Sequence, residues 1–526
     1  MTNPLNETFR RLIERRAETN GSDTFLMFGD DIITFADLKA RIDRAAAGLQ
    51  NIGIQPGDRI GLMLPTVPDH IYLFFALAWI GATALPISVH LKAMGIRTQL
   101  AGARPRMIIA DARFGELVEA VADNENVEKV LWRGVGYPTN DPRFASLDDA
   151  IAAGGDIPPV APGGLDRVCM ISYTSGTTGE PKGAVLTERW FQIGAKNAGL
   201  LAEVRPGDVL FLWEPFYHVA GWMTVLMSLQ HGVKSGMVER FSASRCWDQI
   251  RKFGATQLHY LGGAMNLLLK QPERADDADN PVRIAWGAAA PTQSWQAFEQ
   301  RFGVTIREGY GITEAGNFTT LSHDGPVGSI GKAVEEFDVF IADETGKPLP
   351  DGEVGELVMR PKLPGITMKE YFGKPEKTAE VLRDGCVFSG DLGYRDANGY
   401  FYFSGRKKDA LRRRGENVSA WEVERVINAH PAVEESAVIG VASQMGEQDI
   451  KAFVRPAPEQ NVDPSEIYDW CEKHLAYYQL PRFIEVVEDF PRGPTQRIRK
   501  MELPTAAEAA WDSEVHRKPA KGKTHT

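Results

Sequence analysis

The chain has 526 residues, a length suited to two to four domains rather than one core. Hydrophobic residues make up 43% and charged residues 25%, as in an ordinary soluble enzyme, and a formal net charge of −11 excludes a general nucleic-acid binder, because no basic surplus exists to neutralise phosphates. Four cysteines, Cys169, Cys246, Cys386 and Cys471, form no CxxC pair, which excludes a sequence-evident zinc site and fits a reducing compartment.

The first residues, MTNPLNETFRRLIERRAE, are charged throughout and carry no apolar signal core, so a cytoplasmic location is expected. Residues Ile71–Ser88 are apolar for about the length of a membrane span. Gly81 and Pro86 divide them into a helical pattern followed by a short strand-like run, so a buried helix leading into a buried strand is expected and no transmembrane segment.

From about residue 25 to 310, β-rich runs alternate with helical patterns. Arg59–Leu64, Met107–Ala110, Val127–Trp132, Val209–Trp213, Thr256–Leu261, Val282–Trp286 and Val304–Arg307 read as strands. Ala112–Ala122, Ser242–Phe253 and Gln293–Phe302 carry helical spacing. Such alternation predicts right-handed βαβ crossovers and mostly parallel, doubly covered sheets, an α/β fold.

Tyr173–Gly183, reading YTSGTTGEPKG, is built to hold a polyphosphate. Gly176, Gly179 and Gly183 let backbone approach phosphate oxygens, Thr174, Ser175, Thr177 and Thr178 supply hydroxyl donors, and Lys182 supplies a point charge. The run Val168–Ile171 places this loop at a strand end. The spacing is not GxxxxGK followed by Ser or Thr, so this is not the P-loop of kinases and GTPases. A Ser/Thr/Gly-rich surface loop is the plain alternative.

In REGYGITEAG (307–316), Tyr310 is placed either to stack on a base or to fill core, and Glu314 is a hard oxygen ligand suited to Mg²⁺ on phosphate. From about 338, short strands at Val339–Ile341, Gly355–Met359 and Tyr400–Phe403, separated by turn signals, predict a small antiparallel β unit. Within FSGDLGYRD (388–396), Asp391 fits either a vicinal diol of a ribose or an ordinary turn.

The basic stretch GRKKDALRRRGEN (405–417) reads as a hinge or an anionic cosubstrate site, and Ser419 with Glu422 forms a capping box. A helix, strands at Val438–Val441 and Ile450–Val454, a helix near 465–475 and a strand at Phe483–Val487 complete a compact α+β domain. The last fifteen residues read as a frayed tail.

These motifs, in this order, resemble the adenylate-forming superfamily of acyl-CoA synthetases, peptide-synthetase adenylation domains and luciferases. The resemblance runs from ITFADLKARIDRAAAGL (33–49) and GDRIGLMLP (57–65) through the phosphate loop, YGITE and SGD to FPRGPTQRIRK (490–500). It implies an N-terminal ATP- and acyl-binding domain over 1–407, a mobile C-terminal lid over 408–510 and a tail over 511–526.

By position, it further implies that Thr174, Ser175, Gly176, Thr177, Thr178 and Lys182 hold the β- and γ-phosphates, with Thr174 and Glu314 near the magnesium. Gly287, Ala288, Ala289, Gly309, Tyr310 and Gly311 would line the adenine, and Thr313 would contact the α-phosphate. Asp391 and Arg406 would hold the ribose, Lys408 falls at the hinge, and His218 in EPFYHVAGW gates the acyl pocket. Trp222, Leu261–Met265, Ile312 and Asn317 are candidates to line that pocket.

VSAWEVERVINAHPAV (418–433) and IKAFV (450–454) are similar to carnitine/crotonobetaine-CoA ligases and fatty acyl-CoA synthetases. The implied activity is an ATP- and Mg²⁺-dependent acid–CoA ligase, whose partners are a small carboxylic acid, ATP and CoA. One departure bears on this. Where the family has a Gly-Lys pair after Pro-Thr, this chain has Gln496 and Arg497. Arg keeps the charge as a rigid fork rather than a compact ammonium. Arg497 acting in place of the lysine, Lys500 reaching in by a register shift, and impaired adenylation are the three readings. The last would make the chain a lapsed homologue that binds nucleotide or acyl-CoA.

Overall fold

The structure is a computed structural model that describes residues 7–516 apart from 92, 123, 125, 135–139, 175–180, 408–409, 414–415, 444–447, 476, 478 and 493–497. The chain divides into two compact units. The first holds residues 1–339, 358–389 and 399–401, and the second 340–357, 390–398 and 402–526.

The first unit is built on two largely parallel sheets. In one, the order runs Phe144–Ser146, Lys129–Arg133, Met107–Asp111, Arg59–Met63, Thr83–Pro86, Val168–Thr174, Lys182–Thr187, and only the final pair is antiparallel. In the other, the strands Thr24–Phe28, Lys234–Met237, Val209–Leu212, Gln257–Leu261, Ile284–Ala288 and Thr305–Tyr310 are parallel neighbours. Antiparallel strands Asp31–Thr34 and Thr320–Ser322 flank them. The seven strands expected between residues 59 and 307 are all present with ends shifted by one to three residues. The hairpin at 24–34 and the strand Lys234–Met237 go beyond those expectations, because KSGM carries no β-branched or aromatic residue and GDD is too short a turn signal.

Helices Pro68–Ile80, Glu188–Leu201 and Val219–His231 share one core with both sheets. The first of these is buried nearly all round, as a helix without a polar face must be. Phe9, Phe74, Phe75, Phe191 and Trp222 are linked by ring contacts at centroid distances of 4.0–6.2 Å, with Trp222 meeting Phe74 and Phe75. Each such aromatic contributes roughly 1.5–3 kcal/mol by burial. Gly81 ends the helix at φ 90°, and its N–H donates to Leu77 and Ala78. The strand Thr83–Pro86 follows, so the apolar run is a core helix and a core strand. Among the described residues, no helix is long and apolar enough to cross a membrane.

In the second unit, Val433–Ala442, Gln448–Pro456, Phe483–Val486 and Trp511–Asp512 form a four-stranded sheet. Its core includes Val423 and Ile427 of the helix Ala420–Asn428 and Ile467 and Cys471 of the helix Pro464–His474. Two expectations change here. Residues 511–516 are not frayed: Trp511 pairs with Ile484 in the sheet, Asp512 receives Arg482 at 3.2 Å, and Ser513–His516 is a helical turn. Residues 517–526 lie outside the described residues.

The basic stretch, in turn, runs into a β-hairpin of Ala410–Arg413 with Glu416–Ser419. Its Arg413 is 5% exposed, paired with Asp449 at 3.3 Å and with the Leu480 carbonyl, so this charge serves the fold. The capping-box side chains, Ser419 and Glu422, lie outside the described residues.

One buried charge ties the C-terminal segment down. Lys451 is 0% exposed, pairs with Glu485 at 2.7 Å, and donates to the carbonyls of Pro504 at 3.2 Å and Ala506 at 2.5 Å. Lys451→Ala strands one carboxylate and two carbonyls and is expected to destabilise the second unit by roughly 3 kcal/mol. Urea unfolding followed by the fluorescence of Trp511, two strands away in the same sheet, checks this; an unchanged midpoint would show the lysine to be dispensable.

Candidate active site

The motif residues of the first unit collect where parallel strands end. Thr174 and Lys182, at the two ends of this loop, are antiparallel neighbours in the sheet. Ser175, Gly176, Thr177 and Thr178 lie outside the described residues, as does the Thr174 side chain.

Lys182 is well placed. Its Nζ lies 4.4 Å from the centroid of the Tyr371 ring, and the Tyr371 hydroxyl donates to Glu314 Oε1. Burial, first, and the Glu314 carboxylate, second, raise the Tyr371 phenol so that it keeps its proton. Glu314 Oε2 has no partner among the described residues. Thr313 and Glu314 form a short 3₁₀ turn, Thr313–Ala315, held from two sides. The Trp190 indole N–H donates to the Thr313 carbonyl at 2.9 Å, and Met368 N–H donates to the Glu314 carbonyl at 3.1 Å.

The segment carrying Tyr371 is itself zipped to the hairpin: Val185 N–H donates to Glu370, and Phe372 N–H to Gly183, at 2.9 and 2.8 Å. Thus Lys182, Thr313 and Glu314, up to 132 residues apart, are joined through Tyr371, which sequence reasoning missed. A tyrosine in KEYFGKPE carries no local signal of that role.

Gly287 and Ala288 end one strand with Ala289 just beyond it, and Gly309 and Tyr310 end the next with Gly311 just beyond, Gly287 being in register with Glu308. Ala289 takes φ 63°, a left-handed conformation strained for a residue with a Cβ. Glu308 holds it there. One oxygen of this carboxylate accepts the Ala289 N–H at 2.6 Å, and the other accepts the Ala290 N–H at 3.1 Å and the Tyr260 hydroxyl at 2.5 Å. Glu308 is a second residue that sequence reasoning missed. A carboxylate inside the strand TIREGY was its available signal, since a buried charge needs partners.

Desolvation, against these three donors, raises Glu308 from 4.5 to about 7. The folded protein therefore keeps a proton that the unfolded chain releases, so this group's contribution is fully present below pH 4.5 and is lost as pH rises through about 7. Wild type is expected to lose roughly 2–3 kcal/mol relative to Glu308→Gln between pH 5 and 8. Urea midpoints of both proteins at the two pH values measure this, and parallel pH profiles would contradict it.

His218 stands at the N-cap of the helix Val219–His231, on the loop that leaves the strand Val209–Leu212. That loop is anchored by Glu214, which contacts His259 Nδ1 in a pair 1% and 4% exposed, and by the Trp222 indole N–H donating to Phe216 at 2.9 Å. His70, fully buried and lowered to about 4 by desolvation, packs its neutral ring on Phe216 and Trp222 at 5.2 and 5.9 Å. Trp222 and Met265, candidates for a pocket wall, are each 0% exposed and belong to the cores, whereas Leu261 is 46% exposed.

In the second unit, Asp391, 3% exposed, pairs with Arg406 at 3.1 Å. The neighbouring Gly390 N–H and Lys407 both bond Glu356 at 2.9 Å, fixing the strands on which the pair sits. Lys500 is engaged by Glu424 at 2.7 Å. That carboxylate also accepts the Val438 N–H at 2.6 Å, so a register shift of Lys500 would have to break a formed ion pair. Lys408 and Arg497 lie outside the described residues.

Among the described residues, no group of three or more His, Cys, Asp or Glu side chains could hold a metal ion unaided. A single carboxylate with one unengaged oxygen, Glu314, suits Mg²⁺, which commonly uses one or two carboxylates together with substrate phosphates.

Residues 13–372 match the AMP-binding enzyme family, and 422–497 match the AMP-binding enzyme C-terminal domain. The crotonobetaine/carnitine–CoA ligase of Salmonella typhimurium is 30% identical over 515 residues, 94% of this chain and 99% of that protein. The ligase of the same name from Citrobacter koseri is 31% identical with the same coverage. Among solved structures, the anthranilate CoA ligase AuaEII with anthranoyl-AMP has TM-score 0.84 and 26% identity, covering 96% of this chain and 98% of that one. ATP-bound MatB from Rhodopseudomonas palustris has TM-score 0.82 and 27% identity, covering 93% and 97%.

Proposed function

Because the chain belongs to the AMP-binding enzyme family, we propose that its motif residues form one adenylation and thioester-forming site. The protein is an AMP-forming acid–CoA ligase that draws on ATP, a carboxylic acid and CoA. The observation that carries the residue-level reading is the Lys182–Tyr371–Glu314 linkage, which brings the phosphate-loop cation and the YGITE carboxylate to one place.

A carboxylate is a poor electrophile, so it attacks the ATP α-phosphate; pyrophosphate leaves, and the acyl-adenylate then accepts the CoA thiolate. Lys182 and the hydroxyls of Thr174, Ser175, Thr177 and Thr178, with the backbone of Gly176, take up charge on the β- and γ-phosphates. Thr313 hydrogen-bonds the α-phosphate. The Ala288–Ala289 turn held by Glu308 flanks the adenine on one side, and Gly309, Tyr310 and Gly311 flank it on the other. Asp391, beside Arg406, accepts from the ribose hydroxyls. Thr174 and Glu314 hold Mg²⁺, which neutralises phosphate charge when bound. His218 borders the acid, Lys408 is the hinge between half-reactions, and Arg497 supplies the cation that the family places on the reacting carboxylate. Fixed cations and amides aimed at developing charge account for most of the acceleration.

The acid is small on this reading, because relatives act on crotonobetaine or carnitine and a structural neighbour holds an anthranoyl group. Incubation with ATP, Mg²⁺, CoA and a panel of small carboxylic acids, following AMP and pyrophosphate, tests the function. AMP release that requires both an acid and CoA is expected. Tight ATP binding without AMP for any acid would replace this reading with that of a lapsed, ligand-binding homologue.

A further inference from the structure

A cleft of about 450 Å³ on the first unit takes no part in the site above. It lies between the helices Phe35–Asn51, Pro68–Ile80 and Leu147–Ala152, beside the end of the strand Lys129–Arg133. That strand is four places from Val168–Thr174 in its sheet, roughly 19 Å at the usual strand spacing, so the cleft is not an annex of the polyphosphate loop.

The cleft is lined for an anion. Arg41 and Arg44 are three residues apart on one helix face and exposed. Arg44 has no hydrogen bond or ion pair among the described residues. The acidic neighbours on the same helix are already committed: Asp37 closes the capping box with Thr34, and Asp43 takes Lys39 at 2.5 Å and the Trp79 indole N–H at 3.0 Å. Arg41 donates to the Tyr72 hydroxyl oxygen at 3.0 Å and lies 5.2 Å from its ring centroid.

Tyr72 is 5% exposed, and its own hydroxyl proton has no acceptor among the described residues. Burial, the largest influence on that phenol, keeps it protonated. Arg133, also in the lining, is taken up by Asp69 and Asp111 at 2.6 Å each, so Asp69 is neutralised and Asp148 is the one lining carboxylate left to oppose two arginines. Ile151, partly exposed, supplies an apolar edge, over Leu73 and Leu147, which are 1% and 2% exposed and belong to the core beneath. A cleft in this size range with apolar surface and a few convergent polar donors is of the kind that binds small molecules.

We propose that this cleft is a second ligand site, taking a small organic anion whose phosphate or carboxylate is held by Arg41, Arg44 and the Tyr72 hydroxyl and whose apolar body lies on Ile151 and the arginine stems. The guanidinium forks match either oxyanion in bidentate fashion, and the buried hydroxyl supplies a donor that water reaches poorly.

Isothermal titration tests this on the full chain with the nucleotide site saturated by AMP and with neither ATP nor Mg²⁺ present, so that no carboxylic probe can be activated. Phenyl phosphate, benzoate and inorganic phosphate are the probes. Phenyl phosphate is expected to bind one to one and more tightly than inorganic phosphate, which lacks the apolar body. The share of binding lost in Arg44→Ala, compared between phenyl phosphate and benzoate, identifies the preferred head group. Arg44→Ala is expected to weaken phenyl phosphate at least tenfold, and Tyr72→Phe, which removes only the hydroxyl, at least threefold. AMP formation by Arg44→Ala without added probe should match wild type. Absence of binding to wild type, or equal binding by wild type and both variants, would overturn the proposal. Because the readout is heat of binding, it stands or falls apart from the ligase activity.

Discussion

Glu314→Ala is expected to slow acid-dependent adenylation on the order of a hundred- to thousand-fold, the loss of about 3–4 kcal/mol that follows removal of one positioned charge from a polar transition state. The expectation rests on two oxygens with different engagements. Oε1 accepts a hydrogen bond from the Tyr371 hydroxyl, which fixes the carboxylate's orientation, and Oε2, with no partner among the described residues, is the oxygen proposed for Mg²⁺. Tyr371→Phe removes the orienting bond but not the charge, so its effect should be smaller, on the order of tenfold. Pre-steady-state pyrophosphate release measures both. Transfer to CoA from a preformed acyl-adenylate should change less than about threefold in Glu314→Ala, because the polyphosphate has left by then. Equal loss in both half-reactions would mean that Glu314 supports the fold rather than the first chemical step.

Gly311→Ala is expected to be the most damaging single methyl group in the site. A Cβ there would stand 1.2 Å from the Asn317 carbonyl oxygen and 2.3 Å from its carbon, both backbone atoms. No rotamer relieves a Cβ, so the chain must move. The segment that would yield is the turn running from Tyr310 through Thr313 and Glu314 to Asn317, itself at φ 75°. Overpacking of this kind costs about 1–3 kcal/mol or more in stability. The functional loss should exceed that, because Thr313 and Glu314 are displaced with the turn. ATP binding measured by equilibrium dialysis should weaken at least tenfold, with the first unit still folded by circular dichroism. Near-native ATP affinity would show that the turn accommodates the methyl and that its position is not tightly coupled to the nucleotide.

Much of this was readable along the chain because it is local. Strand-forming runs such as Met107–Ala110 and Ile284–Ala288 are apolar throughout, which a strand covered on both faces requires, and glycine stops the helix Pro68–Ile80 where its hydrogen bonds need a left-handed residue. Lys182 and Glu314 were visible as donors of particular kinds, and Asp391 with Arg406 as a carboxylate and a cation of unproved use.

What sequence could not supply is who stands between them. Tyr371 acquires its place only when residues 369–372 pair with the strand Lys182–Thr187, a contact across almost two hundred residues. Glu308 is a similar case. Its strand position is local, but the need for a buried carboxylate arises from Ala289, nineteen residues earlier, which adopts a backbone conformation better suited to glycine. The strain at Ala289, and the Glu308 side chain that holds it, therefore emerge only in the folded chain.

Displacement of pyrophosphate from ATP by a carboxylic acid is read out by ATP–pyrophosphate exchange. With Mg²⁺, labelled pyrophosphate and a cognate small acid, label should appear in ATP without CoA, and Lys182→Ala or Arg497→Ala should suppress it by at least tenfold. Acyl-CoA formation that produces ADP and phosphate, or exchange that proceeds equally with no acid present, would contradict adenylation as the first step.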